Sequence, residues 1–351
     1  MNILFLYTEL AGYSSNCLNH YAKNNNQNKL HVIRWPINKE APFKFKFENN
    51  IKVYLKNEVN IDSYIKTNKI KIIICCGWID KEYISVIKTN RAITTILMFD
   101  NYWKNTMRQN IGKIIFPFKI KPLFDLCWIP GEVQKKYAKK LGFKEDEIFL
   151  GFYATDLKKQ NEAFYKSYKK KEKDFPKTFL YVGRYLKLKG VQDLWRAFYI
   201  FNKKNKNWKL HCVGEGELFN VKPKHENIIH HGFIQPKLIH ELVDQSGIFI
   251  MPSHYDHWGM ALQEFTAAGL PIICSDKVGS NYEFLKDGEN GYLFKAKNVN
   301  SLVDKMEKIA SLTNEELLKF SKKSLELSLK YDTSTWSNTL NKIINKLNIK
   351  I

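Results

Sequence analysis

Residues 251–293 read MPSHYDHWGMALQEFTAAGLPIICSDKVGSNYEFLKDGENGYL. This stretch predicts a buried strand, a loop, a helix over 260–268 that stops at Gly269, and a second strand at 272–274. Open α/β sheets bind ligands in loops of this kind, at the carboxyl ends of their strands. The free N–H groups at the start of the following helix attract anions. Asp256 lies in the loop and Glu264 in the helix, so two carboxylates flank the expected anion site.

A second informative stretch lies upstream, at residues 181–191, which read YVGRYLKLKGV. It follows one predicted strand and precedes a predicted helix. Fixed cations stabilise an anion, so Arg184 and Lys189 in this loop are candidate residues for binding an anionic ligand. The alternative is that both are ordinary surface cations.

The apolar runs at 2–7 and 70–76 predict buried strands. The rest of the chain also alternates strands with helices or loops, which favours parallel α/β sheets. The Lys-rich segment 157–177 interrupts this alternation and shows little apolar periodicity, so it predicts an interdomain linker. We therefore predict an N-terminal domain at 1–156 and a C-terminal domain at 178–334.

The motifs resemble those of glycosyltransferase family four, the retaining GT-B enzymes also called glycosyl transferases group one. The family pattern is E-x-F-G-x-x-x-x-E followed by A-x-A-x-G-x-P-V-I, and residues 256–273 read DHWGMALQE followed by FTAAGLPII. Asp256 replaces the first Glu, and Trp258 replaces Phe. Residues 181–191 resemble the family's V-G-R-x-x-x-x-K-G segment, and residues 213–216 resemble its V-G-x-G loop.

The resemblance implies a GT-B fold, in which two Rossmann-like domains face each other across a cleft and a last helix at 335–351 packs back on the first domain. It also implies a retaining, metal-independent glycosyltransferase that uses a nucleotide-diphosphate sugar as co-substrate and no further cofactor. The expected acceptor is a glycan or a lipid-linked saccharide, and the expected process is cell-surface polysaccharide or lipopolysaccharide biosynthesis.

The resemblance also assigns site residues. It implies catalytic roles for Arg184, Lys189 and Asp256. Asp100 is the nearest candidate where the family often carries a His or an acid facing the reaction centre, with helix capping as the alternative. The predicted nucleotide-sugar contacts are Gly12, Gly183, Arg184, Lys189, Gly214, Phe233, Ile234, Asp256, Trp258, Gly259, Met260 and Glu264. A simple turn is the alternative reading at Gly12, and packing is the alternative at Phe233 and Ile234.

The charge balance suits anionic partners, and the alternative is a Lys-rich and Asn-rich composition whose lysines are simply solvated. The 351 residues carry 56 Lys and Arg against 35 Asp and Glu, a formal net charge of +21. No nucleic-acid-binding motif accompanies this charge, so no nucleic-acid partner is expected. The segment 104–121 interleaves five cations with Ile, Phe and Pro and contains no acid. It predicts contact with an anionic membrane surface, or else a loop packed over the core with its lysines in water.

No apolar run reaches the ~20 residues of a membrane-spanning helix. Four of the six cysteines, Cys75, Cys76, Cys212 and Cys274, fall in or beside strand-like runs, and the sequence has no C-x-x-C pair. We therefore expect a cytoplasmic protein, peripheral on the inner face of a membrane. Two alternatives stay open at this point. One is an NAD-dependent oxidoreductase, although the G-x-G-x-x-G fingerprint is missing. The other is a catalytically inactive GT-B homologue.

Overall fold

The structure is a computed structural model that describes residues 1–37, 42–235 and 238–348. The described residues divide into two compact units. The first contains residues 1–37, 43–155 and 331–348, and the second contains residues 156–235 and 238–330. This confirms the predicted pair of α/β units, because each unit is built around one parallel sheet. The predicted cleft between them stays a prediction.

The first unit alternates strands and helices along its whole length. In chain order its elements are β1 (Asn2–Tyr7), α1 (Gly12–Asn24), β2 (Lys29–Arg34), β3 (Ile51–Leu55), α2 (Ile61–Thr67), β4 (Ile72–Cys76), α3 (Lys81–Thr89), β5 (Thr94–Met98), α4 (Met107–Lys119), β6 (Leu126–Ile129), α5 (Glu132–Lys140) and β7 (Ile148–Leu150). The strands pair in the order β3-β2-β1-β4-β5-β6-β7, and all the pairs are parallel.

The second unit repeats this alternation. Its elements are α6 (Leu157–Lys173), β8 (Thr178–Val182), α7 (Val191–Asn202), β9 (Lys209–Val213), β10 (Ile228–His230), α8 (Ile239–Asp244), β11 (Ile248–Met251), α9 (Met260–Ala267), β12 (Ile272–Ser275), α10 (Asn281–Phe284), β13 (Gly291–Phe294), α11 (Val299–Ala310) and α12 (Asn314–Ser328). The strands pair in parallel in the order β10-β9-β8-β11-β12-β13. A final helix, α13 (Thr333–Asn348), belongs to the first unit.

Both faces of the first sheet are covered, which explains its nearly continuous apolar strands. On β1, Ile3 and Phe5 belong to one hydrophobic cluster while Leu4 and Leu6 belong to another. Helix α13 completes the first of these clusters with Trp336, whose ring lies 4.9 Å from that of Trp128. The sequence places this helix at 335–351; the structure begins it at Thr333, and residues 349–351 lie outside the described residues.

The structure corrects the predicted linker. Residues 157–173 form α6, a helix of the second unit that contacts α8, α9 and α12. Its buried positions include Leu157, Phe164 and Lys171, which recur every seven residues and so line one face. The aliphatic stem of Lys171 is buried, with its Nζ 5.7 Å from the centre of the Phe175 ring. A lysine used as an apolar side chain hid the helical period from sequence analysis.

Candidate active site

The sequence-predicted residues of the second unit gather at the carboxyl edge of its sheet. The loops after β8, β9, β10 and β11 all leave this edge, because parallel strands end on the same side. Two glycines allow the loops to touch through their backbones. A Cβ on Gly190 would lie 2.0 Å from the Pro252 carbonyl oxygen, and one on Gly214 would lie 2.0 Å from the Gly183 carbonyl oxygen. Any larger residue would force these loops apart.

The clearest feature of this edge is an ion pair between two predicted catalytic residues. The Lys189 Nζ lies 2.6 Å from the Asp256 Oδ2, and the two side chains are only 23% and 14% exposed. The loop that carries Asp256 is fixed by its backbone, since the Asp256 N–H donates to the Lys277 carbonyl at 3.1 Å and its carbonyl accepts from the Gly279 N–H at 3.1 Å. The edge therefore holds an anchored carboxylate beside a cation.

Arg184 lies on the same edge, two residues beyond β8, and is half-buried. Its backbone is held from two sides, because the Arg184 carbonyl accepts from the Tyr181 hydroxyl at 2.9 Å and the preceding Gly183 N–H donates to the Val213 carbonyl at 3.0 Å. The first turn after β8 is thus fixed to both its own strand and the end of β9.

Helix α9 starts at this edge with an unusual residue. Gly259 has φ of 90°, and a Cβ there would lie 2.6 Å from the Met251 Cε and 2.8 Å from the Val278 Cγ1. Glycine is required here both by conformation and by space. The helix is eight residues long, with Met260 as its first residue and Glu264 in its second turn, both half-buried.

Trp258 departs from the predicted role. Its side chain is buried, its indole N–H donates to the Gln263 Oε1 at 2.9 Å, and its ring packs edge-on against Phe284. The indole ring is therefore buried in this structure and does not present a surface to the predicted nucleotide sugar. It instead stabilises the turn into α9. The backbone of Trp258 holds the next loop, since its carbonyl accepts from the Ser280 N–H at 2.9 Å.

The loops after β9 and β10 form the other side of the edge. The Gly214 N–H donates to the Gly232 carbonyl at 2.7 Å, and the Glu215 Oε1 accepts from the Phe233 N–H at 3.4 Å. Phe233 and Ile234 are half-buried. Hydrogen bonds thus link the three loops after β8, β9 and β10, which carry Gly183, Gly214 and Phe233.

Two predicted residues belong to the first unit. Gly12 is the first residue of α1, directly after the loop that follows β1. Asp100 follows β5, and its Oδ2 accepts from the Tyr153 hydroxyl at 3.1 Å. Burial raises the pKa of Tyr153 well above its usual value, so this phenol stays a donor. The capping alternative for Asp100 does not hold at α4, whose N-cap is Thr106.

Sequence analysis missed one hydrogen-bonded pair of side chains at the carboxyl edge of the second unit's sheet. The His254 Nε2 lies 2.7 Å from the Asp193 Oδ2, which joins the loop after β11 to the first turn of α7. The backbone N–H of His254 also donates to the Leu188 carbonyl at 2.9 Å. The only sequence signal for a role of His254 is that it stands two residues before Asp256 in the same loop. Its partner Asp193 is 61 residues away, so the spacing of the motif could not predict the contact.

The described residues contain no group of three or more His, Cys, Asp or Glu side chains arranged to hold a metal ion. No helix within the described ranges is both long and apolar enough to span a bilayer.

Comparison with known proteins connects this edge to a family. Residues 160–326 match the family model described as glycosyl transferases group 1. The second unit belongs to this family. The matched residues include the whole of the edge built from Arg184, Lys189, Asp256 and Glu264. The match confirms the family resemblance that the motifs of the second unit predict.

Curated relatives and solved structures extend the comparison. The capsular polysaccharide biosynthesis glycosyltransferase CapM of Staphylococcus aureus is 26% identical over 207 residues, which cover 56% of this chain and 53% of CapM. The chain spans between 44% and 64% of the length of four curated relatives that it matches.

Over the whole chain, the sucrose-phosphate synthase of Thermosynechococcus elongatus superposes with a TM-score of 0.76 at 14% identity, covering 100% of both chains. Anabaena HepE in complex with UDP superposes with a TM-score of 0.73 at 13% identity, covering 99% of this chain and 100% of HepE. These likenesses show the fold, which is the GT-B fold.

Proposed function

We propose that this protein is a retaining glycosyltransferase that moves a sugar from a nucleotide-diphosphate sugar to a glycan or lipid-linked saccharide acceptor. The observation that carries the proposal is the Lys189–Asp256 pair at the carboxyl edge of the second sheet, 2.6 Å apart and beside the start of α9. Such an arrangement offers a cation to a diphosphate and a carboxylate to sugar hydroxyls. The group 1 family match supports the same activity.

The roles follow from the charges. When the bond between the anomeric carbon and the phosphate oxygen breaks, its electron pair leaves with the nucleoside diphosphate. Arg184, Lys189 and the N–H groups at the start of α9 stabilise this negative charge. The oxygen of the acceptor hydroxyl forms the new bond to the anomeric carbon as its proton passes to the departing phosphate oxygen, and the original anomeric configuration is retained. Because these residues supply positive charge, we propose that transfer needs no divalent metal.

In this proposal the two carboxylates accept hydrogen bonds from different hydroxyl groups of the donor. Glu264, in the second turn of α9, accepts from the ribose hydroxyls of the nucleotide, and Asp256 accepts from the hydroxyls of the donor sugar. Gly183, Gly214 and Gly259 let the backbone approach the diphosphate, with Met260 adding the first N–H group of α9. Phe233 and Ile234 meet the base through their backbones. In the first unit, the proposal assigns Gly12 to nucleotide-sugar binding and Asp100 to catalysis.

The proposed biological process is cell-surface polysaccharide or lipopolysaccharide biosynthesis, at the cytoplasmic face of an anionic membrane. Its support is the naming of two relatives. CapM is named for capsular polysaccharide biosynthesis, and a second S. aureus relative is named poly(ribitol-phosphate) alpha-N-acetylglucosaminyltransferase. Anabaena HepE has been solved in complex with UDP and with UDP-glucose, so UDP-sugars are the donors to test first.

The test is a donor panel of UDP-, GDP- and ADP-sugars with lipid-linked saccharide acceptors, followed by release of nucleoside diphosphate and by NMR of the product's anomeric configuration. Arg184→Ala and Lys189→Ala should each lower turnover by about 10²–10³-fold, as loss of one charge-stabilising donor does elsewhere. Excess EDTA should leave the rate unchanged. If the wild-type chain binds no donor of the panel, or inverts the configuration, the proposal is overturned.

A further inference from the structure

The most exposed apolar surface of the described residues is one face of helix α4 in the first unit. Met107, Ile114 and Phe118 are 80%, 63% and 79% exposed, and Ile111 and Ile115 are exposed as well. We name these five residues the α4 stripe. The opposite side of the same helix is the side that packs, because Gln109 and Phe116 are buried.

The α4 stripe has a helical period. Its members stand at i, i+4, i+7, i+8 and i+11, which at 3.6 residues per turn confines them to an arc of about 100°. A periodic apolar face of this kind normally covers a core. Here the core face is a different one, centred on Phe116. An ordered apolar stripe that points to solvent marks a surface that meets another apolar phase.

The charge around the stripe identifies that phase. Arg108 and Lys119 are exposed and stand within about 20–40° of one edge of the stripe. The half-buried Lys113 stands about 100° beyond the other edge, near the buried face, with its Nζ 5.7 Å from the centre of the Trp103 ring. Residues 101–124 contain no acidic side chain. Lys121 is a different case, because its Nζ pairs with the Glu147 Oε2 at 2.9 Å. Apolar side chains bordered by cations match the boundary between the acyl chains and headgroups of an anionic bilayer.

We propose that α4 is a membrane-docking helix that lies in the plane of an anionic bilayer, with the α4 stripe inserted below the headgroups. At 13 residues the helix is about 20 Å long, too short to span but sufficient to lie at the interface. This deepens the proposed function, since it names the element that brings the first unit to a lipid-linked acceptor. The rationale does not depend on which sugar is transferred.

The experiment is co-sedimentation of the full chain with phosphatidylcholine vesicles that contain or lack phosphatidylglycerol. The wild-type protein should bind only the anionic vesicles, and raising the salt from 0.02 to 0.5 M, as an approximate working range, should weaken binding because surface charge is screened. Met107→Ser, Ile114→Ser and Phe118→Ser combined should reduce the partition coefficient at least tenfold. Arg108→Gln with Lys119→Gln should reduce it by about tenfold or more and remove most of the salt dependence.

The control removes two other exposed apolar residues, which lie in the second unit. Val221 and Leu329 are 63% and 57% exposed, so Val221→Ser with Leu329→Ser should bind vesicles as the wild type does. Equal binding of wild-type and triple-serine proteins would overturn the proposal, as would a wild-type protein that ignores anionic vesicles at low salt. Sedimentation as a dimer that the triple-serine variant converts to monomer would show that a second copy covers the stripe, and would overturn it too.

Sugar transfer to a water-soluble acceptor separates this inference from the proposed function. If α4 only docks the protein, the triple-serine variant keeps that activity while it loses vesicle binding. A wild-type protein that docks on vesicles but transfers no sugar would overturn the proposed function and leave the docking helix standing.

Discussion

At the scale of single residues, the Lys189–Asp256 pair sets the behaviour of the candidate donor site. Each group neutralises the other at 2.6 Å, in a place where both are largely shielded from water. If the site binds a diphosphate as proposed, the diphosphate replaces Asp256 as the partner of Lys189. In that proposal the pair lowers the affinity of the empty site for free phosphate groups and leaves the carboxylate available to a sugar that arrives with them.

This exchange predicts opposite effects of one substitution on binding and on transfer. Asp256→Asn should raise the affinity for a free nucleoside diphosphate about 3- to 10-fold, because Lys189 loses its competing carboxylate. The same change should lower sugar transfer about 100-fold, because the sugar loses a charged acceptor. Calorimetric titration with UDP, GDP and ADP measures the first effect, and product formation measures the second.

The control for Asp256→Asn is Asp304→Asn, which removes an exposed carboxylate from α11 and should change neither quantity. Weaker diphosphate binding by Asp256→Asn than by the wild type would contradict the exchange.

Sequence reasoning worked best at this scale where residues follow a motif. Arg184, Lys189, Asp256 and Glu264 were all expected at one sheet edge, and the structure places them there. The direct contact between Lys189 and Asp256 was not expected, because it depends on the conformation of two loops. Trp258 shows the converse limit, since an aromatic residue inside a motif turned out to be buried packing.

At the scale of elements, the loop after β11 and the start of α7 are joined by the His254–Asp193 bond. Neither this bond nor the hydrogen bond from the backbone N–H of His254 to the Leu188 carbonyl involves the Lys189–Asp256 pair. Both can therefore persist in the proposed exchange, in which phosphate replaces Asp256 as the partner of Lys189. We infer that His254 is a positioning residue for the two loops.

His254→Ala should therefore lower kcat by about 10- to 100-fold with little change in nucleoside diphosphate affinity, as small displacements of reacting groups do. His254→Gln should restore most of the rate, because its amide N–H can again donate to Asp193. His225→Ala, which changes a histidine before β10 at the amino edge of the sheet, is the control and should behave as the wild type. A loss of thermal stability with an unchanged kcat would reduce His254 to a structural residue.

Elements were predicted well where their apolar period was unbroken and poorly where it was masked. The buried strands β1 and β4 were expected from continuous apolar runs. The strand β3 was missed, since Ile51–Leu55 contains a lysine and lies at the sheet edge. Helix α6 was taken for a linker because its lysines outnumber its apolar residues. In both cases the decisive contacts come from distant parts of the chain.

At the scale of the whole molecule, each sheet holds a histidine that folding keeps neutral. Burial, with nearby lysines, lowers the pKa of His31 in β2 to about 4. Burial, with His231 and Lys209 nearby, lowers the pKa of His211 in β9 to about 4. In the unfolded chain both imidazoles take up a proton near pH 6.5. The unfolded state therefore binds more protons between pH 6.5 and 4, so both units lose stability as the pH falls through this range.

Differential scanning calorimetry should show this loss as a fall in Tm of a few degrees between pH 7 and pH 5, before most carboxylates titrate. His31→Gln and His211→Gln should each flatten the dependence, because neither glutamine titrates, even if the substitution lowers Tm at pH 7. A Tm that is constant over this range in the wild type, or equally steep in both variants, would contradict the assignment.

The return of α13 to the first unit reverses the order in which the two units can mature on the ribosome. Nearly all of the second unit lies within residues 156–330, which are all synthesised before Trp336 emerges. The first unit, although its synthesis starts earlier, lacks the helix that completes one of its two hydrophobic clusters until translation has passed the whole second unit. Domains usually fold in the order of their synthesis. In this chain the later unit is the first to have all of its residues, so the nascent first unit waits with an apolar face uncovered.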